Sequence, residues 1–330
     1  MINQISDKIV FSGLKLIKHG KLNVTTFQNK KLQFGDGGNL EVSIKINKPD
    51  FSKNIISKGS VGLAESYMRG DFETDDLSKL IELSAKNIKL VHKFSGILDL
   101  TYLNYFKKFI NRNTKTKSKE HISKHYDLGN EFFSLWLDDT LTYSSAIFEN
   151  EKSNLYEAQI NKYKKLSNLL KPKSGDKLLE IGCGWGGFAE YIGKNLDVNI
   201  EMKDYRDVKQ NYNAIASIEM IEAVGKDYLK NYFQTIKKNL VPGGKAAIQA
   251  ITIDDNLYNR YKRKEDFIQK YIFPGGFLPS KKSILDYVEK TGLNFDQCNS
   301  YGLHYSNTLK IWRDKFSERW EEISEQGFDN

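Results

Sequence analysis

The sequence predicts an α/β protein: a parallel sheet covered by helices on both faces, with a small α+β domain ahead of it. Three observations predict it. Helical and extended patterns alternate from about residue 151 onward, as they do where a parallel sheet is built by helical crossovers. The apolar run Leu178-Leu-Glu-Ile passes into Gly182-Cys-Gly-Trp-Gly-Gly and then Phe188-Ala-Glu-Tyr-Ile, which reads as strand, tight turn and helix. Before residue 50, short alternating segments separated by turn residues replace that rhythm.

Taken in order, residues 9–48 read as short strands with turns. Phe34-Gly-Asp-Gly-Gly is a turn cluster, and Leu40-Glu-Val-Ser-Ile-Lys-Ile alternates apolar and polar like a half-buried strand. Residues 60–92 read as helical, with Leu77, Leu80, Ile81, Ile88 and Leu90 near helical spacing. The polar stretch 111–120 marks a boundary, so the expected domains are 1–110 and 121–330 with 111–120 as a basic linker. Helix 151–170 then leads through Lys171-Pro-Lys-Ser-Gly into strand 177–181 and helix 187–195. Strands 198–203 and 212–218, helix 226–240, the turn Pro242-Gly-Gly and strand 245–251 follow. Ile284-Leu-Asp-Tyr-Val-Glu-Lys is another helix. Leu309, Trp312, Phe316 and Trp320 recur at spacings of three and four, as on an amphipathic helix. Those aromatics read as core or a packing seam, with a lipid-facing stripe as the sharper alternative.

Composition narrows the class. The chain has 330 residues, 39% hydrophobic and 28% charged, which is ordinary for a globular protein with one large or two modest domains. No apolar run approaches the roughly 18–20 residues that cross a bilayer, and no secretory signal opens the sequence, so the expected location is cytoplasmic. Cys183 and Cys298 are too few for a disulfide framework or a cysteine-rich metal site, so no metal is expected. The net charge of +8 is uneven: Lys107–Lys119 holds six basic residues and no acid. That run is either a solvated linker or a site of attraction to anionic phosphate, at about 1 kcal/mol per basic residue near an anionic bilayer. No aromatic-interleaved basic motif accompanies it, so nucleic acid is not an expected partner.

Glycines at 182, 184 and 186 let a ligand approach the backbone, and the following helix offers unpaired N–H groups. Such a turn is shared by many nucleotide and nucleoside binders. Its neighbours narrow it. His125-Tyr-Asp-Leu-Gly-Asn and Leu141-Thr-Tyr-Ser-Ser-Ala precede it, while Asp204-Tyr-Arg-Asp, Ser217-Ile-Glu-Met-Ile-Glu-Ala-Val-Gly and Tyr271-Ile-Phe-Pro-Gly-Gly-Phe-Leu-Pro-Ser follow. In that order they resemble the cyclopropane-fatty-acyl-phospholipid synthase family of S-adenosylmethionine-dependent methyltransferases. Residues 59–71 resemble that family's N-terminal domain, which places the enzyme on phospholipid.

The resemblance implies a Rossmann-like class I methyltransferase sheet and S-adenosyl-L-methionine as cofactor. Gly182, Cys183, Gly184, Trp185 and Gly186 would line its methionine and ribose part. Tyr143 and Ser144 would close over it, Asp204, Tyr205 and Arg206 would hold the adenine end, and Glu180 would orient the turn. The implied reaction is attack of an acyl-chain double bond on the cofactor's methyl group, then proton loss from the resulting carbocation to close a ring. In this family the base resembles a bound bicarbonate. Its ligands here would be Ser145 in place of a cysteine, Glu222, Gln249 in place of a histidine, the backbone of Ile251, and Tyr305 just ahead of the last long helix. Ala223 replaces a second histidine, which leaves a methylene- or methyl-branched product as the nearest alternative. The implied partners are phospholipid acyl chains and an anionic membrane surface, met peripherally on its inner side, with a homodimer as a further expectation.

The chain departs from the pattern in two places. Gly187 and Asp204 are 17 positions apart, room for one helix and one strand where the fold uses two of each, and no segment like Gly-Ile-Thr-Ile-Ser is present. The expected sheet therefore lacks one strand–helix unit, and a catalytically impaired lipid-binding homologue is the competing reading. Relatives also continue with further helices bearing a cysteine. Cys298 lies too early to match it and is expected to be a buried or half-buried thiol.

Overall fold

The computed structural model describes residues 2–88, 128–195 and 205–328. The chain divides into two compact units, one formed by Met1–Asn111 with Lys264–Tyr271, the other by Arg112–Arg263 with Ile272–Asn330. The expected linker 111–120, the basic run 107–119 and the expected strand 198–203 lie outside the described residues. That a segment from beyond residue 260 joins the first unit was not foreseen from the sequence.

In the first unit, α1 (Ile2–Leu14) precedes β1 (Gly20–Thr25), β2 (Lys31–Gly37) and β3 (Glu41–Ile46). Then come α2 (Phe51–Lys58), α3 (Ser60–Met68), β4 (Phe72–Thr74) and α4 (Leu77–Lys86). The strands form one sheet in the order β2-β1-β3-β4, with only the β1–β3 pair parallel. Val42, Ile44 and Ile46 alternate inward from β3 and meet Leu22, Val24, Phe51 and Phe72. Each such fully buried side chain contributes about 1.5–3 kcal/mol. Two expectations need correction. Residues 9–14 are helical, because Val10, Leu14 and Ile17 fall at a helical spacing and Phe11, Leu14 and Ile17 cover the sheet. The stretch 60–92 is interrupted by β4, and within α4 it is Leu80 and Leu83 that are buried, while Leu77 and Ile81 are exposed.

Among the described residues, the second unit begins with α5 (Asn130–Ser134) and α6 (Leu155–Leu170). The described sheet strands are β5 (Leu178–Ile181), β6 (Tyr212–Ile218) and β7 (Leu240–Gln249). Between them lie α7 (Gly187–Asn195), α8 (Ile221–Val224) and α9 (Leu229–Asn239). Beyond lie α10 (Asp255–Tyr261), α11 (Lys281–Lys290), α12 (Gly302–Glu318) and α13 (Trp320–Glu325). β5, β6 and β7 are parallel neighbours in that order. Four consecutive residues of β6, Ala214 to Ser217, are buried, so the strand is covered on both faces as a parallel strand must be.

Local chemistry sets the boundaries. α6 starts at Leu155 rather than 151 because Asn154 and Glu157 form a reciprocal capping box. It ends at Lys171, held at φ 51, just before Pro172. The turn expected at Pro242-Gly-Gly lies inside β7. There the register slips, Tyr212 pairing with Leu240 but Ala214 with Lys245, so residues 241–244 bulge within one continuous strand. Cys298 is exposed, not buried, because the chain around it makes no regular element.

Candidate active site

The carboxyl ends of β5 and β6 lie side by side, with Ile181 opposite Ser217, and Ile218 faces Gln249 of β7. Residues just past these strand ends therefore converge, the usual position for a ligand site in an open parallel sheet. A cavity of about 440 Å³ opens there, within the ~300–1,000 Å³ range of small-molecule sites.

One wall is the glycine turn. Gly182 sits at φ 78, and a Cβ on it would come within 2.4 Å of Met220 Cγ, so only glycine fits. Gly187 starts α7 with the Tyr163 hydroxyl 2.5 Å from where its Cβ would be. Glu180, Gly182, Cys183, Gly184 and Trp185 all line the cavity. Gly186 stays beside it, its N–H donating to Cys183 O at 2.8 Å to close the turn. The Glu180 carboxyl is pushed up to about 8 by burial, and Lys162 and the Ala189 amide oppose the shift. Its Oε2 is buried without a hydrogen-bond partner, leaving an acceptor for a donor on a ligand.

A second wall is the loop 140–148. Asp138 ties its start, accepting from Thr140 N, Thr140 Oγ1 and Thr142 N. Leu141 stands at φ 50. α6 then lays the loop along its buried face: Gln159 Nε2 donates to Ser144 O at 2.9 Å, Lys162 Nζ to Ser144 Oγ at 2.6 Å, and Asn161 Nδ2 to Ile147 O at 2.8 Å. Tyr163 and Thr142 share a hydroxyl hydrogen bond. α12 holds the far side, Thr308 Oγ1 accepting from Ala146 N and His304 Nδ1 from Phe148 N. Tyr143 is thereby set among Phe133, Trp136 and Trp312, with ring centroids 5.3–5.6 Å apart. Trp185 packs on Phe133 at 5.1 Å and donates to Asn130 Oδ1 at 2.9 Å. Such an aromatic wall suits a cationic ligand.

At the end of β6 lies a carboxylate pair. Glu219 lines the cavity, and its Oε1 accepts from Ser145 N at 2.9 Å and Gln249 Nε2 at 2.8 Å. Burial pushes its carboxyl up, while Lys162 and these donors pull it back. Its backbone takes φ 47, a strained conformation for a non-glycine residue. Glu222 Oε1 accepts from Ile251 N, and its Oε2 is buried without a hydrogen-bond partner. Burial first, and then the Glu219 charge, pushes it up to about 8. Lys162, fully buried, is pushed down to about 7 by desolvation against the pull of Glu219, Asp138 and Glu180. Tyr305 is raised by burial and by Glu219, Tyr143 and Glu222.

The sequence-derived residues therefore sort into groups. Tyr143, Ser144, Glu180, Gly182, Cys183, Gly184 and Trp185 line one cavity. Ser145, Glu222, Gln249 and Ile251 gather at its β6–β7 side, but Ser145 contributes its amide, its hydroxyl being turned to Ala146 O. Tyr305 lies within α12 rather than ahead of it. Tyr205 and Arg206 are not among the lining residues: Tyr205 packs on Tyr232 at 6.2 Å and Arg206 lies over the Tyr205 ring. Asp204 lies outside the described residues. Glu219, Lys162 and Asn130 were not singled out. Lys162 had a signal, a charge on the stripe Leu155, Ala158, Leu166 and Leu170 that α6 buries.

The profile of the mycolic acid cyclopropane synthetase family matches residues 113–201 and 189–330. The chain belongs to that family. Its members are S-adenosylmethionine-dependent methyltransferases, and the Rossmann-like sheet is theirs. A family described only as a domain of unknown function matches residues 12–93. Cyclopropane-fatty-acyl-phospholipid synthase of Escherichia coli is 34% identical over 318 residues, covering 87% of this chain and 80% of that protein. Tuberculostearic acid methyltransferase of Mycobacterium tuberculosis is 31% identical over 328 residues, covering 87% and 76%. Among solved structures, a mycolic acid cyclopropane synthase complexed with SAH and CTAB superposes with a TM-score of 0.58 at 25% identity, covering 63% of this chain and 86% of that one. The family match breaks into two pieces that overlap at 189–201, in the stretch where 17 positions separate Gly187 from Asp204.

The residues present fit the cofactor. A glycine that no Cβ could replace, an orphaned acceptor at Glu180 and an aromatic wall face one cavity of suitable size. They do not fit a bicarbonate. The donors it would need, Ser145 N, Gln249 Nε2 and Ile251 N, are already engaged by Glu219 and Glu222.

Proposed function

We propose that this chain transfers the methyl group of S-adenosyl-L-methionine to the double bond of an unsaturated acyl chain in a membrane phospholipid. Proton loss then yields a cyclopropane or a methyl-branched alkene, and a methylene-branched chain where a 1,2-hydride shift first moves the positive charge to the methylated carbon. The cofactor supplies an electrophilic methyl group on a cationic sulfur. The protein's part is to hold it and to manage the charge that follows. The glycine turn and Glu180 hold the polar end, Tyr143 and Trp185 face the cation, and Ser144 is fixed by Gln159 and Lys162. The single observation carrying the reading is that Glu219, its carboxyl raised by burial, lines the cavity of the glycine turn, with Glu222 close enough to feel its charge. Proton loss from a carbocation asks for an acceptor beside the reacting carbon.

The first unit serves to place the lipid, and the protein meets the inner membrane surface peripherally. Among the described residues no helix is long and apolar enough to cross a membrane. Exposed Ile268, Tyr271, Ile272 and Phe273 and the basic run 107–119 support contact with an anionic bilayer. Incubating the folded protein with methyl-labelled cofactor and vesicles of unsaturated phosphatidylglycerol should yield labelled lipid; folded protein that yields none overturns the activity. The broken family match favours a second reading, a lipid-binding homologue with impaired catalysis. Calorimetry separates them, because tight binding of the cofactor counts against impairment.

A further inference from the structure

We propose that Glu219 is the resident anion and proton acceptor of this site, a side-chain carboxylate standing where an exogenous bicarbonate would otherwise bind. The argument begins with the donors. Ser145 N and Gln249 Nε2 converge on one oxygen, Glu219 Oε1, at 2.9 and 2.8 Å. Gln249 Nε2 also donates to Ser145 O at 3.0 Å, so the three residues lock one another. Two N–H donors aimed at a point make a small-anion site, and the chain itself fills it.

The backbone supports the same reading. Glu219 follows directly on β6 at φ 47, where a glycine would be relaxed. Strain held by a buried charged side chain needs compensation, and the two hydrogen bonds and the charge of Lys162 provide it. The pair also divides its labour. Glu219 has two donors on one oxygen and a cation acting on it; Glu222 draws on the backbone N–H groups of Ile251 and its own residue, with a second oxygen without a partner and the Glu219 charge against it. Glu219 is therefore the acid that ionises first, and Glu222 the one that keeps its proton.

The step balances without a further reactant. The cationic acyl chain loses a proton from the carbon beside its positive centre or from the newly attached methyl group. The C–H electron pair becomes the new C–C bond of a ring or the π bond of an alkene. The proton goes to the Glu219 carboxylate, which becomes a neutral acid and later returns the proton to solvent. Gln249 and Ala223, where imidazoles would otherwise stand, cannot take up that proton.

Only the proton-transfer step rests on the proposed methyl transfer; occupancy of the anion site does not, and binding measures it directly. Ligand-detected NMR with carbon-13 bicarbonate should find no binding to the native protein and binding at millimolar concentration to Glu219→Gly. Glu219→Ala serves as the second variant if the glycine variant melts early by circular dichroism. Native protein that binds bicarbonate, or emptied variants that do not, overturns the assignment. In the vesicle assay, removing dissolved carbonate should leave the native rate within about twofold. Glu219→Gly should lose about a hundredfold and recover about tenfold with added bicarbonate or formate. A native rate that collapses without carbonate, or a variant that keeps its rate, overturns the role as acceptor.

Discussion

Glu65 in the first unit and Glu219 and Glu222 in the second are carboxylates with little exposed surface, yet their surroundings act in opposite directions. Glu65 accepts from Lys270, Lys58 Nζ at 2.6 Å and Tyr271 Oη at 2.9 Å, and this company draws it down to about 2. Its neighbour Asp71 is likewise paired, with Arg69 Nη2 at 2.6 Å. At the cavity, Glu180 and Glu222 are pushed up to about 8 and Glu219 is raised as well. Lys162, a buried cation that acts on both Glu180 and Glu219, spends its hydrogen bond on Ser144. A fully paired carboxylate is fixed in one charge state and ties chain segments together. An underpaired one is poised to change charge, which is what a site needs and a scaffold avoids.

The largest effect should come from removing the cation. Lys162→Met takes away the charge that keeps Glu219 ionised, so the Glu219 pKa rises and the acid limb of the pH–rate profile moves to higher pH. The rate at neutral pH should fall about 10²–10³-fold. Stability should fall, by about 3–5 kcal/mol where the acids stay ionised, because they lose the buried cation that offsets their charge and Ser144 loses its donor. A profile that does not move would separate Lys162 from the acids and break the comparison at its centre.

Next comes Glu222→Gln, which mimics the protonated acid. In the native protein the Glu222 pKa is raised from 4.5 to about 8, so the folded state holds a proton that the unfolded chain has released. Native stability is therefore lost as pH rises from about 4.5 to 8, by at most ~1.4 kcal/mol per unit. The variant escapes that loss. Melts at a series of pH values should show it gaining on the native protein up to about pH 8 and running parallel beyond.

Gly182→Ala tests geometry rather than charge. The new Cβ meets Met220, and the φ of 78 disfavours any side chain, so about 2–4 kcal/mol should be lost together with cofactor affinity. Gly184→Ala is the control, since its φ is 52 but nothing lies within 4 Å of the added atom. It should cost only the backbone term, about 1–2 kcal/mol.

The sequence made the frame of this site readable and hid its charges. The strand–turn–helix at 178–195 follows from an apolar run, glycines and an amphipathic segment, all local signals. Tyr143, Ser144 and Glu222 could be named because they lie in segments that resemble a known family. Glu219 sits in the same segment as Glu222 and was passed over, since its role arises only when the ends of β6 and β7 bring Gln249 beside it. The helix at the start of the chain was misread although Val10, Leu14 and Ile17 are spaced for a helix; that Phe11, Leu14 and Ile17 cover a sheet shows only in the fold. Tyr205 and Arg206 joined the expected adenine site through resemblance alone, and the structure adds that Tyr205 packs on Tyr232.

The smallest effect carries the sharpest contrast. In Glu65→Gln one oxygen still accepts, but the charge and the hydrogen bond at the other oxygen are lost. The native pKa is lowered from 4.5 to about 2, so the ion pairs stabilise the fold above about pH 4.5 and are lost as pH falls toward 2. The variant should therefore be weaker than the native protein at neutral pH and equal to it near pH 2. Lys58 and Lys270 are 49% and 39% exposed, so solvent screening limits the difference to about 1–2 kcal/mol. Salt at about 1 M should shrink it further, while the Glu222→Gln gain, set by burial, should persist. The two isosteric changes thus run in opposite directions with pH: one variant loses where the other gains. If both moved the same way, pairing and burial would not be what distinguishes the scaffold carboxylate from those at the site.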